Sequence, residues 1–265
     1  MSSQQPFQSA SVLPPHFTVE GFQRVACQPS FLPETFARLN RSGPISGPIF
    51  FKKFGRGERS ACIIQRNSPI LMVAHVDSVT NPATDARIAD GRLYHNAIDD
   101  RLGVYLGLEV FPAMGLPVDL LLTTGEERGE SSAAVFRTRK QYKWIFSFDR
   151  MGDDVVCYQY ECSALTNLLP GAGFRIGVGT YSCISELEHL GCCGINFGCG
   201  MFDYHTDGAY CDLPMLGAQL ERFAQFYGLN AARNLLNLAL GREPTRHSGP
   251  GTGPDTGCET ATIAA

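Results

Sequence analysis

From residue 69 onward, short apolar runs alternate with segments whose apolar positions recur at helical spacing. PILMVAHVDS (69–78) reads as a strand, DDRLGVYLGLEVF (99–111) as a helix and VDLLLTTGEE (118–127) as a strand. SSAAVFRTRK (131–140) reads as a helix and KWIFSFDR (143–150) as a strand. Further on come VVCYQY (155–160), a Gly-rich bend, ISELEHLG (184–191), which reads as an amphipathic helix, and CGINFGCG (193–200), which predicts a strand. Leu216, Leu220, Phe223 and Tyr227 mark one face of a last long helix, which Asp212 caps ahead of Pro214. This alternation specifies an α/β fold: a single-domain three-layer sandwich around a mixed, mostly parallel sheet.

Composition adds boundaries. The chain has 265 residues, 44% hydrophobic and 18% charged, enough for one sizeable core. No internal repeat and no second-domain signal interrupt it. Residues 1–30 are rich in Ser, Gln and Pro, and 241–265 in Gly, Pro, Thr and Ser, so both ends are expected to be mobile around a folded domain at 31–240. With 22 basic against 26 acidic side chains the formal charge is -4, which argues against nucleic acid or an anionic membrane as partner. No apolar stretch approaches the roughly 20 residues of a spanning helix, and the N-terminus lacks the pattern of a secretory signal, so a soluble, cytoplasmic protein is expected. The ten cysteines are scattered without a CxxC pair and read as reduced, mostly buried thiols; the spacing of the five between 183 and 211 matches no structural zinc site.

In an open parallel sheet, ligands bind beyond the carboxyl ends of the strands, so the residues that end each apolar run carry the chemistry. There the chain places His75 and Asp77, Glu126 and Glu127, Asp149, and His205; the loop entering the first strong helix adds Asp99 and Asp100. Imidazoles mixed with carboxylates suit a borderline divalent metal such as zinc. Repulsion among Asp99, Glu127 and Asp149 calls for a cation, and two ions sharing a bridging carboxylate would neutralise it. The HxD spacing puts Asp77 on the same strand face as His75, where it can accept the other ring proton. Plainer roles exist for each: a core histidine at 75, a helix cap at 99–100, an exposed turn at 126–127, a surface ion pair between Asp149 and Arg150. His189 rivals His205 as a ligand; His16, His95 and His247 take no role. Tyr181 and Tyr204 could donate to an oxyanion or simply pack.

AHVDSV (74–79), AIDDRLGV (97–104), TTGEERG (123–129), FSFDR (146–150) and YHT (204–206) resemble, in the same order, the motifs of the co-catalytic zinc peptidases of the M28 type, whose relatives include the M20 and M42 groups. The resemblance implies that His75 and Asp149 hold one zinc, Glu127 and His205 the other, and Asp99 bridges them, with Co or Mn able to replace one ion. It also implies that Glu126 is the general base, that Asp77 orients His75, and that the Asp99–Asp100 peptide is cis. The gaps of 22 residues from Asp77 to Asp99 and 56 from Asp149 to His205 leave no room for the extra domains of M42 and M20 enzymes. Two departures stand out: Cys183 where members often have Asp, and Ala209 where many have Glu.

The implied activity is aminopeptidase cleavage of short peptides or aminoacyl amides. Deacylation of small N-acyl compounds, glutaminyl cyclisation and non-catalytic metal binding are the alternatives, and the oligomeric state stays open. Loops around 80–96, 150–154 and 171–183 are expected to shape the substrate pocket, with Asp203 or Asp207 facing the substrate amine.

Overall fold

The computed structural model describes residues 13–27, 49–53 and 60–235. Its ten strands are β1 (Ile49–Lys53), β2 (Ser60–Ile64), β3 (Ile70–His75), β4 (Arg87–Ala89), β5 (Arg92–Tyr94), β6 (Asp119–Thr123), β7 (Trp144–Met151), β8 (Val155–Val156), β9 (Cys193–Phe202) and β10 (Tyr210–Asp212). Four helices accompany them: α1 (Val19–Ala26), α2 (Ile98–Tyr105), α3 (Ser163–Gly171) and α4 (Leu213–Asn230). The α2 rod continues through a wider turn at Leu106–Val110 into Phe111–Ala113.

All strands join one sheet in the order β1-β2-β6-β3-β7-β9-β10-β5-β4, with β8 paired to β9. Its centre, β6-β3-β7-β9, is parallel, and both flanks are antiparallel. Parallel strands need both faces covered, and the side chains alternate accordingly. Ile70, Met72, Ala74, Leu120, Leu122, Trp144, Phe146 and Phe148 enter the larger core with α1, α2 and α4, whereas Leu71, Val73, Leu121 and Ile145 enter a smaller core on the other face. In the larger core the Phe146 ring lies 4.7 Å from Phe223 and 5.8 Å from Phe111, and Phe148 stacks on Phe197 at 5.2 Å. This aromatic layer holds the end of β7 rigidly.

The strands expected at 69–78, 118–127, 143–150 and 193–200 are present as β3, β6, β7 and β9. The last helix is α4, capped as expected by Asp212, whose Oδ1 accepts from the Met215 N–H at 2.9 Å. Four expectations are corrected. SSAAVFRTRK forms one 3₁₀ turn, Ser132–Val135, because its apolar residues span a single turn before four polar ones. ISELEHLG, read as an amphipathic helix, is a 3₁₀ helix over Cys183–Leu190, and of VVCYQY only Val155–Val156 form a strand. Within 1–30, residues 13–27 hold α1, whose buried Phe22 and Val25 join the larger core and whose start is capped by Thr18. The 241–265 tail lies outside the described residues. Among the described residues no helix is long and apolar enough to cross a membrane.

Candidate active site

The carboxyl ends of β3, β6, β7 and β9 lie along one edge of the sheet, and every residue singled out from the strand ends arrives there. His75 ends β3 with no exposed surface. After β6, Gly125 turns the chain at φ 82°, where a Cβ would stand 2.6 Å from the Glu130 carbonyl oxygen, and presents Glu126 and Glu127 on a 3₁₀ turn. Asp149 is near the end of β7, and Asp99 opens α2, joined to Asp100 by a cis peptide. The β9–β10 loop carries Asp203 and His205 at φ 50° and 64°; holding two non-glycine residues there costs conformational energy that the loop repays by aiming the imidazole inward.

The contacts converge on Asp99. Its Oδ1 lies 3.0 Å from His75 Nε2 and its Oδ2 lies 3.1 Å from His205 Nε2, so each carboxylate oxygen faces a different imidazole. His75 Nε2 also stands 3.6 Å from Asp149 Oδ1, and His205 Nε2 2.8 Å from Glu127 Oε2. His75, Asp99 and Glu127, and likewise His75, Glu126 and Asp149, bring ligand atoms within 4.8 Å of one another, as a metal ion needs. Oε1 of Glu127 is buried without a hydrogen-bond partner. A carboxylate split between two imidazoles, ringed by acids with an orphaned oxygen, is a donor set that fits divalent metal binding.

Around this group lies a supporting layer. His75 Nδ1 hydrogen-bonds to the backbone carbonyl of Asp77 at 3.1 Å, closer than the Asp77 carboxylate at 3.7 Å. The Asp77 side chain accepts instead from the Glu127 N–H at 3.2 Å, tying the β3 and β6 loops together. Asp100, expected beside the site with a helix cap as its plainer role, does both. Its Oδ1 does accept from the Gly103 N–H at 3.0 Å, while its Oδ2 accepts from the His75 N–H at 3.1 Å, locking α2 to the ligand strand. The spacing of Asp100 to Gly103 was the available signal, since a Cβ at 103 would collide with the carboxylate.

Sequence reasoning missed Asn196, Ser182 and Tyr158. Asn196 Oδ1 accepts from the Asp149 N–H and its Nδ2 donates to the Asp149 carbonyl, both at 3.0 Å; Ser182 Oγ donates to Asp149 Oδ2 at 3.2 Å. The Tyr158 hydroxyl accepts from Asn196 and donates to the Tyr181 carbonyl. No local pattern announces these residues, because each acts across distant strands. Cys183 is buried beneath the site, its Sγ 3.1 Å from both Thr123 Oγ1 and Ser131 Oγ. Ala209 is fully buried. His189 binds the Phe136 carbonyl at 2.8 Å and so takes no part in the cluster.

A cleft of about 350 Å³ opens over the acids. Arg150, Met151, Tyr158, Val178–Tyr181, Met201 and Tyr204 form its walls. Segments 150–154 and 171–183 thus contribute as expected, but no residue of 80–96 lines this cleft; residues 87–94 of that segment form the β4–β5 hairpin at the far sheet edge. Asp203 and Asp207 are exposed and outside the cleft lining. Tyr181 accepts from the Ser131 N–H at 3.2 Å, and Tyr204 packs edge-on against the His205 ring.

Charge crowding sets the protonation. Burial, aided by Asp149 and Asp99, raises Glu126 to about 7, and burial raises Asp149 to about 6 despite His75. Burial would raise Asp99 too, but hydrogen bonds from His205 and His75 outweigh it and hold Asp99 well below the usual carboxylate range. His75 is lowered by burial and raised further by Asp149 and Asp99, ending well above its ordinary value. Groups raised in the fold stabilise it below their ordinary pKa and lose that contribution as pH rises through the raised one. For Glu126 the loss runs from its ordinary 4.5 through about 7, and for Asp149 from 3.8 through about 6. Asp99, of opposite sign, keeps its contribution across that window. The chelator-treated protein should therefore melt at lower temperature as pH rises from about 5 to 8, and added zinc should raise the melting temperature more at the upper end. Thermal scans with an equal zinc shift at both ends would contradict this electrostatic account.

Neither a protein-family model nor a curated protein sequence matches the chain. Solved structures do share its fold. The aminopeptidase PepT from Bacillus cereus superposes with a TM-score of 0.56 at 10% identity, covering 78% of this chain and 96% of that one. A tripeptidase from Staphylococcus aureus gives 0.58 at 11% identity, covering 81% and 98%, and the dodecameric PhTET1-12s gives 0.51 at 12%, covering 78% and 99%. At such identities the likeness is one of fold, and this chain's single-domain mixed sheet is the fold of these peptidases.

Proposed function

We propose that the protein is a metal-dependent hydrolase of amide bonds, an aminopeptidase that removes N-terminal residues from short peptides with two zinc ions. The observation that carries this reading is Asp99, whose two oxygens face His75 on one side and His205 on the other. In this assignment His75 and Asp149 would hold one ion and Glu127 and His205 the other, with Asp99 shared between them. The ions would polarise the scissile carbonyl and acidify water.

The chain's own groups supply the rest. Glu126 borders the cleft and its Oε2 stays 3.7 Å from His75 Nε2, beyond hydrogen-bond reach, so its carboxylate is available to take a proton from attacking water and return it to the leaving amine. Asp77 sets His75 through its carbonyl and the Glu127 backbone through its carboxylate. Arg150, Tyr158 and Tyr181 shape the cleft, while the tyrosine rings and Met151 and Met201 offer apolar contact to a substrate side chain.

The test is a panel of aminoacyl anilides and short peptides, each free and N-acetylated. Chelator-sensitive cleavage of several free-amine compounds, with little or none once acetylated, is expected. Faster hydrolysis of the acetylated series would replace the aminopeptidase with a deacylase.

A further inference from the structure

Away from the metal-ligand cluster, the sulfur atoms of Cys162 and Cys193 lie 3.8 Å apart although the residues are 31 positions apart in sequence. No disulfide links the described cysteines. Cys162 is partly exposed and sits at the start of α3; Cys193 is buried at the start of β9. One thiol is thus open to a small oxidant, and the second is already in van der Waals contact behind it. Closing to a bond length near 2 Å needs the two sulfur atoms to approach by under about 2 Å.

The chain between these two cysteines is the excursion that builds one wall of the cleft. It contains α3, then Val178–Tyr181 of the cleft, then Ser182 bonded to Asp149. Its two ends are packed into the cores through Leu165, Leu169, Ile184 and Leu187, and its cleft-lining stretch passes close to β7 and β8. Gly177 lies so close to the Arg150–Asp154 ion pair that a Cβ there would collide with both partners, and the Gly177 N–H bonds the Val155 carbonyl at 2.7 Å. A covalent link at 162 and 193 would clamp both ends of the excursion.

We propose that Cys162 and Cys193 form a disulfide under peroxide, stapling the base of the segment that walls the cleft. The Cys162 thiolate attacks the peroxide, forming an S–O bond and breaking the O–O bond, to give a sulfenic acid and hydroxide. The Cys193 sulfur then attacks the sulfenic sulfur, forming the S–S bond as the S–O bond breaks; the hydroxide leaves as water with the Cys193 proton. Two thiols are oxidised and one hydrogen peroxide is reduced to two waters. Cys162 is the more exposed of the two and meets the oxidant first, while Cys193 is buried behind it with its thiol raised by that burial.

The experiment treats the full chain with one equivalent of hydrogen peroxide, unfolds it in alkylating denaturant and maps its peptides by mass. A linked pair of peptides carrying Cys162 and Cys193, about 2 Da lighter than their sum and split by dithiothreitol, is expected. The oxidised protein should melt about 5–10 °C higher than the reduced one, as expected for closing a loop of this length. Cys162→Ser should abolish both changes, and Cys193→Ala should leave Cys162 reactive toward a sulfenic-acid probe. Linkage of Cys162 to Cys157, sulfinic acid at Cys162 with Cys193 still alkylated, or a cross-linked protein that melts no higher would each overturn the proposal. Mapping of the unsubstituted chain decides the case even where a variant fails to fold.

Discussion

Glu126→Gln is expected to lower turnover of an unblocked aminoacyl substrate about 100- to 10,000-fold while metal content stays unchanged. The substitution keeps the volume of the side chain and its place on the turn after Gly125, but the amide cannot accept a proton. The two neighbouring glutamates differ in what they touch. Glu127 Oε2 is 2.8 Å from His205 Nε2 and its Oε1 is buried without a partner, whereas Glu126 stands 3.7 Å from the nearest imidazole nitrogen. Glu127→Gln should accordingly release metal first and lose activity as a consequence. Glu126 also lies within ligand distance of His75 and Asp149, so it has a rival role as a ligand. Elemental analysis beside the rate separates them: metal loss in Glu126→Gln makes it a ligand, and near wild-type rates with full metal remove it from the chemistry.

The strand-end residues were legible because a parallel strand buried on both faces must be apolar, which leaves the first polar residue after each run conspicuous. ILMVAH, DLLLT and WIFSFD each announce the edge of the sheet in this way; β3 and β6 end where those runs end, and β7 two residues later, at Met151. The flanks were harder to read. The β4–β5 hairpin has three residues a side, and β10 pairs only through tertiary contacts, so neither has a periodicity long enough to register. Helix α1 was hidden by composition: Pro and Gln around it suggested a mobile end, while its buried face is only Gly21, Phe22, Val25 and Ala26. The second covering layer was misread for a related reason. Alternation implied a helix at 131–140, but the smaller core needs only Ala133 and Phe136 from that stretch, and a single 3₁₀ turn delivers both.

The supporting hydrogen bonds were not legible at all. Asn196 lies inside a strand whose neighbours are apolar, and its role depends on the register of β9 against β7, which pairs Ser147 with Asn196 and so brings the amide to the Asp149 backbone. That register is a product of the whole sheet. Cys183 shows the converse. The sequence marked it as a departure, and the fold gives it a place: a small buried thiol contacted by Thr123 and Ser131 fills the space under the strand that ends in His75.

Asp99→Ala is expected to reduce bound zinc from about two ions per chain to almost none, because both ions would share this one carboxylate. His205→Ala should empty mainly one position, since His75, Asp149 and Asp99 remain for the other. The contrast follows from the contacts: Asp99 faces both imidazoles, while His205 is 39% exposed at its side chain and reaches only Asp99 and Glu127. Removing Asp99 also removes one of the charges that raise Glu126 and Asp149, so the metal-free variant has less repulsion to bear and should remain folded. Asp99→Asn preserves the shape with a single acceptor oxygen and should bind one ion weakly. Elemental analysis at saturating zinc, with circular dichroism as the check on folding, reads the outcome. Saturation of the unsubstituted chain at one ion, or equal single-ion losses in Asp99→Ala and His205→Ala, would show that Asp99 does not bridge.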